Sequence, residues 1–490
     1  MNYATIGRII AQILALESAF MLPSFLLCLF DGNLNTATAF AISMLISFAV
    51  SLLLYFICRK SDGRMFAREG MVCTGLAWIV LSLVGALPLC ISGEFPSFID
   101  ALFEIVSGFT TTGATVSNNV EGLSRGVLYW RSFSHWLGGM GVLVFLMALL
   151  PKVSGGGSTL HLLRAESTGP SVNKLVPKMR KTASILYIIY IVLTIVNFIF
   201  LIAGGMPVFD SVCTAMGTAG TGGFGIKNDS MASYSPYLQN VTTVFMLIFG
   251  VNFGIYHLVL LGQFKQVFKN GELLLYLGLF AFSSLAICFN ILDTYDTFGH
   301  ALRDAAFQVS SIMTTTGFAT TDFDLWPSFS KSLLLVLMLV GACAGGTGGG
   351  FKCSRLILIF KSIRRAARRA LHPNKIETIR RDKEPVEESV VQSTNVYFAA
   401  YFVIIIISAL IVSVDGFSIE TNISAVISCT NNIGPGYAEV GPSLSFACYS
   451  PLSKIVLIFD MLVGRLEIFP ILVLMTKSTW REGVVKNVRT

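Results

Sequence analysis

A short glycine-centred element occurs four times in this chain: TTGAT at 111–115, TGGFG at 221–225, TTGFA at 315–319 and NIGPG at 432–436. Each copy lies between strongly apolar segments. Asp100, Asp210 and Asp304 stand 13 residues before the central glycines Gly113, Gly223 and Gly317, and Glu420 stands 14 before Gly434. A short helix fits that gap. Four copies of an outer span, a short re-entrant helix, an extended glycine strand and an inner span are what one polypeptide needs to build a four-fold pore lined by backbone carbonyls. The pattern predicts an all-α polytopic membrane protein that conducts ions.

Composition agrees. The 490 residues are 54% hydrophobic and 13% charged, with a mean hydropathy of +0.71, which excludes an ordinary soluble globular chain. Segments 182–209, 230–264 and 396–414 contain no Asp, Glu, Lys or Arg over lengths that reach the roughly 20 residues needed to cross the hydrocarbon core. The first apolar stretch, 9–30, has no small-residue cleavage site at its end and is soon followed by another span, so it reads as a retained helix rather than a signal peptide. The ten cysteines show no C-x-x-C pair and no metal-type histidine spacing; they read as small hydrophobic residues in spans.

The net charge of +7 is unevenly placed. Arg59, Lys60, Arg64 and Arg68 fill one connection. Lys152, Arg164, Lys174, Lys178, Arg180 and Lys181 fill another, and Arg364, Arg365, Arg368, Arg369, Lys375, Arg380, Arg381 and Lys383 a third. The positive-inside rule makes these cytoplasmic, together with a tail carrying Lys477, Arg481, Lys486 and Arg489, so the four glycine elements open to the outside. The run at 364–369 is expected to dock a cytosolic partner or, on the same charge grounds, anionic lipid headgroups.

The chain divides into two extra N-terminal helices (1–69), a first pore unit with its cytoplasmic linker (70–180), a second unit (181–271), a third with a basic linker (272–393) and a fourth with the tail (394–490). The glycine-to-glycine separations of 110, 94 and 117 residues suit duplicated units with divergent loops. In the third unit the apolar pattern continues from Ser330 past Phe360, but GACAGGTGGG at 341–350 interrupts it, and glycines on that scale break a helix. An irregular loop then lies near mid-membrane, where unsatisfied backbone is tolerated only along a wet cavity. The other inner helices also carry central glycines: Gly138, Gly139 and Gly141; Gly250 and Gly254; and Gly464.

A potassium ion sheds its water only where oxygens of comparable number and field replace it, and stacked carbonyls do this without formal charge. The strand needs a residue free to adopt positive φ at its centre, and glycine is that residue. Candidate ligands are therefore Thr111, Thr112 and Gly113; Thr221, Gly222 and Gly223; Thr315, Thr316 and Gly317; and Asn432, Ile433 and Gly434. The preceding helices, such as 101–109 and 305–313, are expected to begin at the acidic residues and to direct their negative ends at the cation. A single such element reads more readily as a glycine turn between packed helices; four at equivalent places reverse that and favour the filter. Only TGGFG closely matches the T-V-G-Y-G filter of tetrameric potassium channels, which implies one dominant selective site and looser discrimination against sodium.

Two nucleotide motifs are discarded. Residues 220–225 match G-x-G-x-x-G but follow a helical segment, with no acidic residue about 20 positions later. The stretch 345–352 resembles a phosphate loop without its Gly-Lys-Ser/Thr and lies within a span. Arg465, roughly half-way along the final span, faces either a wet cavity, where it raises an electrostatic barrier below the filter, or a paired carboxylate at Glu467 or Asp460.

Taken together, the four elements, CAGGTGGGFK at 343–352, RAESTGP at 164–170, LHP at 371–373, NNIGPG at 431–436 and GRLEIF at 464–469 resemble the TrkH membrane-subunit family of the bacterial Trk/Ktr potassium uptake superfamily, over essentially the whole chain. The resemblance implies a homodimer in the bacterial cytoplasmic (inner) membrane with one pore per protomer and K+ as the transported ion. It implies an intramembrane gate at about 341–352, built from Gly345, Gly346, Thr347, Gly348, Gly349, Gly350 and Lys352, towards which Arg465 projects. It also implies a cytosolic TrkA-type ring that binds NAD and adenine nucleotides. This chain carries no such regulatory domain, so no bound organic cofactor is expected in it, and no nucleic-acid partner. The alternative is a sodium-permeable or Na+- or H+-coupled symporter of the same architecture. A membrane-embedded enzyme is remoter: H-E-x-x-H and G-x-S-x-G are missing, and His135, His161, His257, His300 and His372 lack ligand spacing.

Overall fold

The computed structural model describes residues 1–59, 65–141, 179–374, 377–382 and 384–480. Lys60, Arg64, Lys152, Lys174, Lys178, Lys375, Lys383, Arg481, Lys486, Arg489 and the RAESTGP segment with Arg164 lie outside them, as do the side chains of Arg180 and Lys181.

The described residues are helical apart from loops, short 3-10 turns and a two-residue pairing of Arg380–Arg381 with Glu384–Pro385. Six stretches among them are long and apolar enough to cross a membrane: Tyr3–Phe30, Leu34–Ile57, Ala67–Ile91, Ala183–Ala203, Gly271–Thr294 and Glu388–Asp415. Their outward faces are apolar, with Leu45, Phe56, Phe282, Phe289, Val403 and Leu410 exposed. Contacts between helices combine buried apolar residues, such as Ile9, Leu14 and Phe40, with small polar ones. On Leu34–Ile57 the buried Ser47 donates to the Leu14 carbonyl at 2.9 Å and Ser51 to that of Ala11 at 2.6 Å. Lipid is as apolar as leucine, so association inside a bilayer rests on close packing and such bonds.

Four shorter helices precede the glycine elements: Phe98–Phe109, Val208–Gly220, Phe298–Met313 and Ile419–Asn431. Ser97, Thr297 and Ser418 accept from the third backbone N–H of their helices, satisfying one of the orphan donors there. Asp100, Asp210 and Glu420 lie in first turns. Asp304 does not, contrary to expectation: Thr297 caps the third helix earlier, so Asp304 sits two turns inside it, where it accepts from Thr320 at 3.3 Å and lies 3.4 Å from His300.

The first, second and fourth inner helices start at Ser-Pro or Ser-Arg caps, with Ser124, Ser235 and Ser450 each accepting from the third N–H, whereas the third follows Pro327 without a side-chain cap. Each inner helix then ends or bends within the described residues. The first, Arg125–Met140, reaches Gly141 at φ 86°. The second turns by 90° between Pro236–Gly250 and Phe253–Leu260. The third stops at Val340 and resumes at Cys353–Leu371. The fourth ends at Arg465, with Glu467 and Ile468 at φ 56° and 68°, before Phe469–Met475. Arg465 therefore stands at a helix end rather than along a continuous span, which frees its guanidinium to reach sideways.

Candidate functional site

Each of the four short helices terminates in the same backbone device. The amide of Thr112 bonds the Ser107 carbonyl at 2.8 Å, Gly222 that of Gly217 at 2.9 Å, Thr316 that of Ser311 at 2.8 Å and Ile433 that of Ser428 at 2.9 Å. These six-residue closures need a left-handed residue just before the donor. That residue is Thr111, Thr221, Thr315 or Asn432, at φ 57°, 53°, 59° and 56°. A second reversal follows two positions later, at Gly113 (82°), Gly223 (74°), Gly317 (87°) and Gly434 (109°). The glycine reversals follow from the residue type; the threonine ones do not, because β-branched residues rarely adopt positive φ.

The four strands close into a ring. A Cβ placed on Gly113 would lie 2.1 Å from the Gly222 carbonyl oxygen, on Gly223 1.9 Å from that of Thr316, on Gly317 2.1 Å from that of Ile433, and on Gly434 2.9 Å from that of Thr112. Every central glycine thus abuts the carbonyl that precedes the next central glycine, in chain order and back to the start. Asn432 adds a side-chain bond across the closing junction, donating to the Thr112 hydroxyl at 3.0 Å. On one side of the ring lies a cavity of about 570 Å³ lined by all four strands and by Thr115, Asn118 and Lys227.

Central glycines of the inner helices allow them to press against this ring. A Cβ on Gly138 would meet the Phe109 carbonyl at 1.9 Å and one on Gly464 the Thr430 carbonyl at 1.9 Å. Both carbonyls belong to the residue four before the central glycine of their own strand.

The interruption of the third inner helix is anchored to the strands and to their neighbours. Gly349 N–H donates to the Thr315 hydroxyl at 2.6 Å, Gly350 N–H to the Asn431 carbonyl at 3.0 Å, and Thr347 through its hydroxyl to the Phe249 carbonyl at 3.1 Å. Cys343 N–H bonds the Gly250 carbonyl at 3.1 Å, the Gly345 carbonyl accepts from Phe253 at 3.0 Å, and Lys352 folds back onto the Gly348 carbonyl. Glycine is required by space here: a Cβ on Gly346, Gly348 or Gly349 would come within 2.8, 2.7 and 2.3 Å of a carbonyl oxygen of Gly250, Thr314 and Asn431 respectively.

Arg465 joins this loop to the first unit. Its guanidinium donates to the Thr347 carbonyl at 2.9 Å and to those of Gly138 and Gly139 at 2.5 and 2.6 Å. The two candidate carboxylates are held elsewhere: Glu467 meets Arg355, and Asp460 accepts from Ser408 at 2.7 Å. The acceptors of this arginine are instead main-chain carbonyls of the loop and of the first inner helix. Sequence reasoning missed Asn431, Phe249 and Glu272, whose contributions are mostly backbone carbonyls without a residue signature. Glu272 is the exception, a buried acid that accepts Ala344 N–H at 2.7 Å and Arg381 at 2.7 Å.

Comparison with known proteins places these features in context. The family model of TrkH, cation transport protein, matches residues 36–292 and 290–482. The Trk system potassium uptake protein TrkH of Salmonella typhimurium is 35% identical over 490 residues, covering 98% of this chain and 100% of that protein. The Trk system potassium uptake protein TrkG of Escherichia coli is 32% identical over 475 residues, covering 95% and 96%. The crystal structure of the potassium transporter TrkH from Vibrio parahaemolyticus matches with a TM-score of 0.87 at 32% identity, over 98% of this chain and 100% of that one. The fold is that of a helical, multi-pass membrane protein.

Proposed function

Because the chain belongs to the TrkH family of cation transport proteins, we propose that it mediates potassium uptake through the ring around Gly113, Gly223, Gly317 and Gly434. The observation that carries this reading is the closure of four equivalent strands, each glycine against the next strand's carbonyl. Such a ring offers the desolvating cation main-chain oxygens at fixed spacing, while the carboxylate of Glu439 stands in the lining of the cavity and not in the four strands. The cation enters from the lined cavity, which we take as the outer mouth because the basic residues of Cys353–Leu371 favour a cytoplasmic position for that helix. The chain is a transporter rather than an enzyme, as its relatives' names describe.

Below the ring, the loop 341–352 and Arg465 act as the gate. A guanidinium at this depth repels a cation that has shed its water and donates charge-assisted bonds to carbonyls of two units. Opening requires the Thr347 carbonyl and those of Gly138 and Gly139 to part from it. The family's uptake proteins are named as parts of a Trk system, which supports a role within a multi-component assembly. We assign to that assembly a homodimer of this chain in the cytoplasmic membrane and a cytosolic TrkA-type nucleotide-binding ring, docked near the helix that carries Arg364 and Arg369.

Rubidium or potassium flux into liposomes holding the purified chain, with and without the ring, tests this. Potassium-selective flux that the partner modulates supports the reading. A folded protein that admits sodium and potassium equally in both states overturns it.

A further inference from the structure

Behind the second glycine strand lies a set of buried polar side chains that neither the ring nor the gate uses. Glu104 comes from the first short helix, and Arg131 and His135 are one turn apart on the first inner helix, the spacing that puts two side chains on one face. Arg131 Nε donates to Glu104 at 2.7 Å, and both groups are fully buried. Glu104 also accepts from Val116 N–H at 3.0 Å and from the Thr115 hydroxyl at 2.9 Å, just beyond Gly113. The guanidinium lies 4.0 Å above the ring of Phe224, and the imidazole of His135 packs against the same ring at 4.2 Å, tilted by 34°.

The hydrogen bonds of His135 define its form. Its Nε2 accepts Phe224 N–H at 3.2 Å, so the proton is on Nδ1, which donates to the Gly108 carbonyl at 2.7 Å. The strand rests directly on this imidazole: a Cβ on Gly222 would be 2.2 Å from its Cγ. The third strand, by contrast, is held at the matching position by one hydroxyl, Ser311 to the Phe318 carbonyl at 2.6 Å. The strand with the fullest set of glycines is thus the one braced by a cation, an imidazole and a carboxylate from its neighbour unit.

We propose that Glu104, Arg131 and His135 are positioning residues for selectivity. They clamp Phe224 and hold the Gly222–Gly223 backbone at a spacing that suits potassium and resists closing around the smaller sodium ion. Arg131 Nη1 has no hydrogen-bond partner, which leaves the ring of Phe224 as the contact of that edge of the guanidinium; a buried polar network of this kind specifies one conformation more than it stabilises. This rests on the filter reading, and the test separates the two.

The measurement is the potassium-to-sodium permeability ratio of the purified full-length protein in liposomes, for His135→Ala, His135→Gln, Phe224→Leu and Gly223→Ser. His135→Ala is expected to lower the ratio roughly five- to tenfold, the scale on which one hydrogen bond of net strength moves an equilibrium. His135→Gln, whose amide can both accept and donate, is expected to recover most of it. Phe224→Leu keeps a large apolar side chain but loses both ring contacts and is expected to lower the ratio about twofold; it decides alone should His135→Ala fail to fold. A lowered ratio in Gly223→Ser with no change in His135→Ala and Phe224→Leu would overturn the clamp and leave the filter standing. An unchanged ratio in Gly223→Ser would remove the filter reading itself.

Discussion

The glycine strands and the inner helices beneath them treat their four-fold repetition in opposite ways. In the strands, four different sequences reach one backbone form: the same closing bond, the same left-handed residue and the same glycine reversal. In the inner helices, the described turning points all differ: a glycine end, a 90° bend, a twelve-position interruption at 341–352 and a break after Arg465. Coordination by a ring demands equivalent contributors, whereas a gate needs one contributor that can move without the others. The loop is sealed by a few hydrogen bonds to carbonyls, which exchange more readily than a packed apolar helix would.

The largest effect is expected from removing that asymmetry. Deleting 345–349 takes away the Thr347 carbonyl, the bond to Thr315 and the contacts under Asn431, so potassium flux without any partner should rise on the order of tenfold or more, two net hydrogen bonds being worth at least that. Flux into liposomes at matched protein content reads this. A folded variant no more conductive than the parent would make the loop a packing irregularity.

Substitution around the ring sharpens the other side. Serine at Gly113, Gly223 or Gly317 meets a carbonyl at 2.1, 1.9 and 2.1 Å, while at Gly434 the nearest one is 2.9 Å away. All four sit at positive φ, a cost of ~1–2 kcal/mol for a side chain, so each should lower the potassium-to-sodium ratio by about tenfold in the first three and by less in Gly434→Ser. Four unequal effects in any other order would break the equivalence of the strands.

Much of the ring was legible before the structure, because glycine at a fixed place in four units has few other uses. The interruption at 341–350 was legible for the same reason. The left-handed threonines were not, since Thr111, Thr221 and Thr315 owe their φ to the helix-closing bonds and not to residue type. Nor were the partners of Arg465: the chain marks a mid-membrane cation, but its acceptors are main-chain oxygens, and two nearby carboxylates offered a plausible alternative. Asp304 misled because a threonine seven positions earlier supplied a better cap.

A finer probe of the loop is Thr347→Val, which removes the hydroxyl bond to Phe249 and leaves the carbonyl on Arg465. Partner-free flux should rise about two- to fivefold, in keeping with one net hydrogen bond. The smallest effect belongs to the surface. Arg365 is committed to Glu388 through two bonds of 2.7 Å and Arg368 to Glu377 at 2.6 Å, so Arg364 and Arg369 are the better candidates for docking. Reversing both charges should weaken retention of the cytosolic ring in pull-down by about twofold at moderate salt, where screened exposed charges are worth only ~0.2–0.5 kcal/mol each. Equal retention would assign these residues to lipid or topology.

Arg465 is where the repeated ring and the asymmetric gate meet, and potassium flux through Arg465→Ala in partner-free liposomes is the most direct test. Loss of three charge-assisted bonds and of the cation itself should raise flux at least about tenfold and reduce its response to the partner, with Arg465→Lys in between because it keeps charge without the planar fork. Flux that falls or is unchanged in a folded Arg465→Ala protein would contradict the gate.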